Sequence, residues 1–200
     1  MKFVLASHNP RKLEELQTIL QQLGVEIVLQ SQLGIDLEPE ETGTTFEENA
    51  LIKARAVMEA SGLPAIADDS GLCCEALNGA PGVYSARYGG PDLNDRQRYQ
   101  LLLETMRGQL SRKASFVSVV TCAFPNGDVI SARGECEGRI GFTPVGEDGF
   151  GYDPIFLVPE CKKTFAQMTP EEKNAVSHRG KALRAFAGEL ETYLNGRQAR

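Results

Sequence analysis

The chain has 200 residues, of which 42% are hydrophobic and 24% are charged. These values are close to the average for globular proteins, and they exclude a disordered, collagen-like or coiled-coil chain. The 27 acidic residues outnumber the 21 basic ones and give a net charge of -6, which argues against a protein that binds polymeric nucleic acid.

The N-terminal segment and the cysteines predict a cytoplasmic protein with no membrane partner. The apolar run over residues 3–6 is too short for a signal peptide, and no run approaches the roughly 18 apolar residues of a membrane span. The five cysteines include no C-x-x-C pair, and the chain has only two histidines. Neither a disulfide framework nor a zinc site is therefore expected.

The first third of the chain alternates strand and helix signals, which is typical of an α/β fold. Asn9 and Pro10 suit the N-cap and the first position of one helix, and Thr45 with Glu48 forms a capping box for a second. The predicted elements are, in order, a strand over 2–6, a helix from 10 to Gly24, a strand over 25–29, a polar loop over 31–45, a helix ending at Gly62, and a brief strand over 65–67.

The remaining elements predict a mixed sheet. Two β-rich runs are joined by Pro125-Asn126-Gly127-Asp128, which is a strong signal for an antiparallel hairpin. The elements are an ordered loop over 78–90, a helix over 94–107, strands over 114–124 and 129–136, a helix that begins after Thr169, and a final amphipathic helix over 182–194. Because no linker or repeat interrupts them, we predict two lobes that share one sheet rather than two independent domains.

The turn from Ser7 to Lys12 has the pattern of an anion site. A strand that ends in a polar turn and begins a helix presents backbone N–H groups and the positive end of the helix dipole. Arg11 and Lys12 lie in the first helical turn, where each cation opposes the dipole by about 0.3–1 kcal/mol. A bound phosphate would remove that conflict, and the alternative interpretation is an ordinary capped helix start.

Two acidic segments predict a cation site, and a plain turn is the alternative interpretation of the segment that contains Asp68 and Asp69. Asp68 and Asp69 follow a buried strand, where adjacent carboxylates repel one another unless a cation or a proton relieves them. A hard cation such as Mg²⁺ suits one or two carboxylates and a substrate phosphate. The loop over 36–48 adds six carboxylates and no base; most of them fit a solvated loop, and one or two of them would reach the cation. Lys53, taken alone, is predicted to be an exposed lysine.

Two later segments carry groups suited to a nucleotide: a ring that can stack on a base, and donors to carbonyl or phosphate oxygens. The glycines around Phe150 and Tyr152 allow close backbone approach and leave a ring free to stack, although a tight turn with core aromatics is the alternative. Lys173, His178 and Arg179 gather hydrogen-bond donors where a helix begins, and a solvated basic turn is the alternative. An anion cradle, metal carboxylates, a stacking ring and polar donors together are the parts of a nucleotide site.

Six motifs in a fixed order extend over almost the whole chain. They are Ser7-x-Asn9-x-x-Lys12, Thr45-Phe46-x-Glu48-Asn49-Ala50-x-x-Lys53-Ala54, Ala67-Asp68-Asp69-Ser70-Gly71-Leu72, Gly79 to Tyr88, Gly149 to Phe156, and Ser177-His178-Arg179-Gly180. This set resembles the inosine triphosphate pyrophosphatase family, the XTP/dITP diphosphatases. One residue departs from the pattern, because His8 stands where the Thr-Gly-Asn motif usual in that family has glycine.

The resemblance implies an activity and a fold. The activity is Mg²⁺-dependent hydrolysis of the purine nucleotides ITP, dITP and XTP to the nucleoside monophosphate and pyrophosphate, which cleanses the nucleotide pool. The fold is an elongated, two-lobed α/β fold with a long mixed β-sheet flanked by helices and a central cleft, formed by residues 1–200 as one domain. A homodimer is also implied.

The same resemblance implies the roles of individual residues. Asp69 would be the general base and a metal ligand, and Glu41 would approach the metal, with Glu40 as the alternative. Ser70 would touch the substrate and Lys173 would assist. The phosphates would contact Ser7, His8, Asn9, Pro10, Arg11, Lys12 and Lys53; the base and sugar would contact Phe150, Gly151, Tyr152 and Asp153; and the 6-oxo group would contact His178 and Arg179.

Other functions fit the same residues. A different phosphatase, or a pyrophosphatase for modified pyrimidine nucleotides, would use the same carboxylates and lysines. A non-catalytic nucleotide-binding module would bind dITP without releasing pyrophosphate, and the presence of both Asp69 and Lys53 counts against it. For the purine enzyme, selectivity is expected at the 6-keto group, because adenine would leave a donor such as Arg179 unpaired.

Overall fold

Helices and one mixed β-sheet make up the structure, a computed structural model that describes residues 1–198. The strands are β1 (Lys2–Leu5), β2 (Glu26–Leu29), β3 (Ala65–Cys74), β4 (Lys113–Ala123), β5 (Val129–Ile140), β6 (Phe156–Val158) and β7 (Lys163–Thr164). The α-helices are α1 (Pro10–Leu20), α2 (Phe46–Ser61), α3 (Asp95–Thr105), α4 (Pro170–Val176) and α5 (His178–Gln198). Short 3₁₀ helices occupy several connections, among them Gln30–Leu33 and Gly82–Arg87.

Within the described residues the seven strands form one sheet in the order β2-β1-β3-β4-β5-β6-β7. The pairs of β1 with β2 and β3 are parallel, whereas β5 with β6 and β6 with β7 are antiparallel. The register places Leu5 beside Leu29 on one side and Ile66 on the other. The predicted mixed α/β sheet is thus confirmed.

The chain divides into two compact units, and the boundaries fall inside β3, β4, β5 and α5. Unit 1 comprises Met1–Asp69, Ser118–Gly134 and the chain from Ala182 onward, and unit 2 comprises Ser70–Val117 and Glu135–Lys181. Each unit has its own apolar core. The core of unit 1 includes Phe3, Leu16, Phe124 and Phe186, and that of unit 2 includes Leu102, Phe116, Phe156 and Phe165.

Strand β3 is longer than predicted. The sequence predicts a strand over 65–67, but β3 continues through Asp68 and Asp69 to Cys74. Two observations explain the difference: the carboxylates are paired with lysines, and Leu72 and Cys74 beyond them are completely buried. Since β1 pairs with β3 only as far as Ile66, the carboxylates still lie just beyond the carboxyl end of β1.

The predicted starts of α1, α2 and α4 are confirmed, and several other bounds differ. Helix α2 begins after the Thr45 capping box and ends before Gly62, and α4 begins after a second capping box at Thr169. Helix α5 starts at His178, four residues before the predicted position, and β6 and β7 were not predicted. Among residues 1–198, every helix is too short or too polar to cross a bilayer.

Candidate active site

The turn between β1 and α1 is ordered by its own side chains. Ser7 Oγ accepts a hydrogen bond from the backbone N–H of Asn9 at 3.1 Å, and Asn9 Oδ1 accepts one from the N–H of Arg11 at 3.0 Å. This is the capped helix start that the sequence allowed as an alternative. An anion at this N-terminus would compete with the two side-chain bonds for backbone donors.

Lys12, from the first turn of α1, forms an ion pair with both carboxylate oxygens of Asp68 in β3. Its Nζ lies 2.8 Å from Asp68 Oδ1 and 2.9 Å from Asp68 Oδ2. The side chains are 30% and 10% exposed, so the pair is shielded enough for its charges to interact more strongly than on an open surface. Asp68 therefore fixes the ammonium group of Lys12 next to the turn between β1 and α1.

Helix α2 directs Lys53 between two carboxylates. Its Nζ lies 2.7 Å from Glu41 Oε1 and 3.3 Å from Asp69 Oδ1. The Lys53 side chain is only 18% exposed, so the prediction of an exposed lysine, made from that residue alone, is wrong. Glu41, and not the exposed Glu40, is the member of the acidic loop that reaches this group.

The charged side chains of this group shift one another's pKa values. Burial raises the pKa of Asp69, the charge of Glu41 raises it further, and Lys53 opposes both effects; the net direction is upward. Burial alone would lower the pKa of Lys53, but the charges of Asp69, Glu41 and Asp68 together raise it above its ordinary value. One ammonium thus serves two carboxylates, and the set retains an unneutralised negative charge.

The same carboxylates fit a hard divalent cation. Asp69 Oδ2 is buried and has no hydrogen-bond partner among the described residues, an arrangement that is costly without a ligand. Within residues 1–198 no cluster of three or more His, Cys, Asp or Glu side chains is arranged to hold a metal. Because Mg²⁺ is commonly bound by one or two carboxylates with substrate phosphates and water, Asp69 and Glu41 suit it.

Asn49 supports this group and was missed from the sequence as a site residue. It is completely buried, and its Oδ1 accepts a hydrogen bond from the backbone N–H of Gly43 at 2.8 Å. Its Nδ2 makes no hydrogen bond of good geometry within the described chain, yet the amide still lowers the pKa of Asp69. Asn49 thereby fastens the acidic loop to α2, and its place in the second motif was the available signal.

In unit 2, a glycine-rich turn presents an exposed ring above a buried ion pair. Phe150 is 73% exposed. Asp153 Oδ2 accepts hydrogen bonds from the backbone N–H of Phe150 at 2.9 Å and from Lys173 Nζ at 2.6 Å. Burial raises the pKa of Asp153, with Lys173 opposing the shift. The Lys173 Nζ also lies 4.9 Å from the centre of the Phe150 ring, a cation–π distance.

Tyr152 and Gly151 hold this turn in place. The Tyr152 ring is buried, and its hydroxyl donates to the carbonyl of Ser85 at 2.8 Å. The backbone N–H of Gly151 donates to Asp95 Oδ2 at 2.8 Å. Of the two aromatic rings in the motif, Phe150 is therefore the one free to stack on a base. Asp95 was not predicted, because its contact spans 56 residues of sequence.

His178 and Arg179 lie at the start of α5, as the sequence predicts for a basic helix start. The imidazole of His178 stacks on Phe116 with centroids 4.7 Å apart and an interplanar angle of 11°. Phe165 lies 6.2 Å from the same ring, and Lys173 Nζ lies 5.3 Å from the centre of the Phe165 ring. Lys173 and His178 thus share the Phe165 ring within unit 2.

The structure brings the predicted residues together in two groups. In unit 1, Lys12 pairs with Asp68, and Lys53 pairs with Glu41 and with Asp69, the neighbour of Asp68 in β3. The unit 2 group is joined by the ion pair of Lys173 with Asp153 and by stacked rings, and its members are Phe150, Asp153, Lys173 and His178. Arg11 is exposed, His8 contacts Gln30, and Ser70 directly follows Asp69 in β3.

We expect Gly149→Ala to damage the unit 2 group more than Gly151→Ala. Both glycines have positive φ, at +84° and +60°, so alanine is strained at each. Only at Gly149 would the new Cβ overlap the Asp153 carboxylate, whereas nothing lies within 4 Å at Gly151. Gly149→Ala should therefore cost about 1–3 kcal/mol more in the free energy of unfolding, the typical cost of overpacking. Equal urea midpoints for the two variants would contradict this account.

This chain is similar to known proteins over nearly its full length. The Ham1 family model matches residues 3–189. A dITP/XTP pyrophosphatase of Thermus thermophilus is 53% identical over 199 residues, which cover 98% of this chain and 93% of that protein. The protein of the same description from an Exiguobacterium species is 47% identical and is covered completely, with 98% of this chain.

A solved structure agrees as well. The HAM1 protein from Coxiella burnetii superposes with a TM-score of 0.90 at 44% identity, covering 98% of this chain and 99% of its own. At this identity and coverage, sequence and fold point to one family, in agreement with the resemblance of the six motifs. The chain therefore belongs to the Ham1 family.

Proposed function

We propose that this protein hydrolyses dITP, ITP and XTP to the nucleoside monophosphate and pyrophosphate, and so removes deaminated purine nucleotides from the pool. The observation that carries the proposal is the partly buried set of Lys53, Glu41 and Asp69 beside the Lys12–Asp68 pair. Curated relatives that are about half identical to this chain are described as dITP/XTP pyrophosphatases, which supports the same activity.

The phosphates are assigned to unit 1. Lys12 and Lys53 supply positive charge, and Ser7, Asn9 and the N–H groups of the turn supply donors; His8, Pro10 and Arg11 complete the turn. Charges held in place in a partly buried site stabilise a phosphoryl transition state more than mobile surface charges would. Both lysines already form ion pairs with carboxylates. When the substrate binds, the triphosphate must therefore replace some of these carboxylates as partners of the lysines, or its cation must replace the lysines as partners of the carboxylates.

Asp69 and Glu41 would hold Mg²⁺. When bound there, the ion neutralises negative charge on the phosphate oxygens. Asp69 orients a water molecule and accepts its proton while the water oxygen bonds to the α-phosphorus. The bond from that phosphorus to the bridging oxygen breaks, and pyrophosphate leaves with the electron pair. The upward shift in the pKa of Asp69 suits a general base, because a raised pKa strengthens proton acceptance from the attacking water.

The base and sugar are assigned to unit 2. Phe150, as the exposed ring, stacks on the purine, while Gly151, Tyr152 and Asp153 shape the turn that presents it. His178 and Arg179 donate hydrogen bonds to the 6-oxo group, Lys173 steadies Asp153 and the Phe150 ring, and Ser70 contacts the substrate next to Asp69. Stacking alone tolerates any base, so selectivity rests on the donors to the 6-oxo group.

The proposal extends to the setting of the enzyme. Residues 1–200 act as one domain in a homodimer in the cytoplasm, and the partner molecule is one nucleotide rather than a polymer. The net charge of -6 supports a small ligand over a polynucleotide. Sedimentation equilibrium of the purified chain tests the dimer.

A substrate panel tests the selectivity. With Mg²⁺ present, we expect kcat/KM for dITP and XTP to exceed that for dATP by at least about 100-fold, because the 6-amino group of adenine leaves the donor to the 6-oxo group unpaired. Pyrophosphate release from dITP, ITP, XTP and the four ordinary dNTPs, with and without Mg²⁺, is the measurement. Equal turnover of dATP and dITP would rule out the 6-oxo account, and preferred turnover of modified pyrimidine nucleotides would assign a different substrate.

A further inference from the structure

A buried glutamine joins two loops of unit 1. Gln30 follows β2 directly and is only 2% exposed. Its Nε2 lies 2.8 Å from the carbonyl oxygen of Leu37 and 2.8 Å from His8 Nε2. His8 belongs to the turn between β1 and α1, and Leu37 belongs to the acidic loop that carries Glu41. One amide group therefore contacts both of the loops to which the phosphates and the cation are assigned.

The chemistry of the Gln30 amide, the Leu37 carbonyl and the His8 ring determines which atoms carry the hydrogens. A carbonyl oxygen only accepts, so the atom of Gln30 that faces Leu37 must be the amide nitrogen. That nitrogen has two hydrogens and gives the second to His8, so Nε2 of His8 accepts and its Nδ1 carries the ring proton. Asp36 Oδ1 lies 3.6 Å from the same Nε2 and attracts the imidazole only if the ring becomes charged.

The bridge matters because the joined loops have little regular structure of their own. The chain has no helix or strand over residues 35–45, and the turn at Ser7 to Asn9 precedes α1. If the loops separated, the buried amide of Gln30 would lose its acceptors, and an unpaired buried amide is unfavourable. The arrangement in which both loops lie against Gln30 is thereby favoured.

We propose that Gln30 is a positioning residue that couples the phosphate-binding turn to the carboxylate loop, with His8 as its contact on the turn. The inference rests on the proposed function of these two loops and adds a residue to it. Loss of the bridge should raise KM for dITP and the Mg²⁺ concentration for half-maximal activity, each by about tenfold, the scale seen for residues that support a metal site. Because Gln30 does not touch the reacting atoms, kcat should change little.

The first test detects the hydrogen bond between Gln30 and His8 by NMR and needs no measurement of enzymatic activity. The chain has only two histidines, so ¹⁵N-histidine labelling of the full chain gives a simple spectrum, in which His8→Phe identifies the His8 signals. We expect His8 as the Nδ1–H tautomer, with Nε2 accepting from Gln30, and loss of that preference in Gln30→Met. An Nε2–H tautomer in the unchanged protein, or an identical His8 spectrum in Gln30→Met, would show that Gln30 does not donate to His8 and would overturn the proposal. This result does not depend on whether the protein is an active enzyme.

The second test is kinetic and uses a matched control. Gln17 also donates from its amide to a backbone carbonyl, that of Ile27 at 3.0 Å, but it joins no loop of the site. Gln30→Met should raise KM and the Mg²⁺ requirement with kcat retained, whereas Gln17→Met should leave all three unchanged. A KM and Mg²⁺ requirement in Gln30→Met equal to those of Gln17→Met would refute the coupling.

A double variant separates coupling from direct substrate contact by His8. His8 is 40% exposed at its side chain, so His8→Phe avoids the folding risk of a core substitution. If His8 acts through Gln30, the His8→Phe/Gln30→Met protein should have the KM of Gln30→Met alone, because that change already removes the contact between Gln30 and His8. Multiplicative effects on KM would show that His8 acts independently of Gln30 and would overturn its place in the proposal.

Discussion

Replacing Asp69 by asparagine is expected to lower kcat for dITP hydrolysis about 10³-fold, within the range for loss of a general base. Asparagine keeps the shape of the side chain but cannot accept the proton of the attacking water. The substitution also removes a buried carboxyl group whose pKa is raised by burial and by Glu41. Because a raised pKa means that folding disfavours the ionised group, the free energy of unfolding should not fall. Steady-state pyrophosphate release at saturating Mg²⁺ measures the effect.

An exposed carboxylate supplies the control for this substitution. Asp92 lies on the surface of the loop before α3, and Asp92→Asn makes the same chemical change at a residue that has no assigned role in the site. It should retain full activity. If Asp69→Asn also kept near-full turnover while still binding dITP and Mg²⁺, Asp69 would not be the base.

Replacing Lys53 by methionine is expected to lower kcat/KM for dITP by about 10²–10³-fold, the scale for losing one fixed electrostatic contact to the transition state. Methionine preserves most of the apolar stem but leaves Glu41 and Asp69 without the cation between them. Because Lys53 lowers the pKa of Asp69, its loss should raise that pKa. The base must be deprotonated, so the acidic limb of the pH–rate profile should move to higher pH.

The matched control lies on the same helix. Arg55 is exposed two residues further along α2, and Arg55→Met removes a cation without touching the carboxylates. Its pH–rate profile should coincide with that of the unchanged enzyme. A Lys53→Met profile that also coincided, or that moved to lower pH, would contradict the assigned role of Lys53.

Local signals in the sequence were sufficient for the elements that begin the site. Asn9 and Pro10 place the start of α1, and the Thr45–Glu48 capping box places that of α2, because a cap depends on residues within one turn. The alternation of strand and helix signals was likewise sufficient for the mixed α/β fold. The six motifs identified the family because they are ordered along nearly the whole chain.

Contacts between distant segments could not be predicted in this way. The partner of Lys12 is Asp68, 56 residues away, and without that pair two adjacent carboxylates indicate the end of a strand. The burial of Lys53 likewise depends on Glu41 and Asp69, which lie on other elements. Gln30 carries no motif at all, and its importance becomes visible only when two loops are placed against one amide.

The position at which water enters the substrate tests the central claim most directly. Hydrolysis of dITP in H₂¹⁸O with Mg²⁺, followed by mass spectrometry of the products, reports which phosphorus is attacked. The account predicts one ¹⁸O atom in dIMP and none in the pyrophosphate, because Asp69 directs water to the α-phosphorus. Label in inorganic phosphate or pyrophosphate, or release of dIDP, would contradict it.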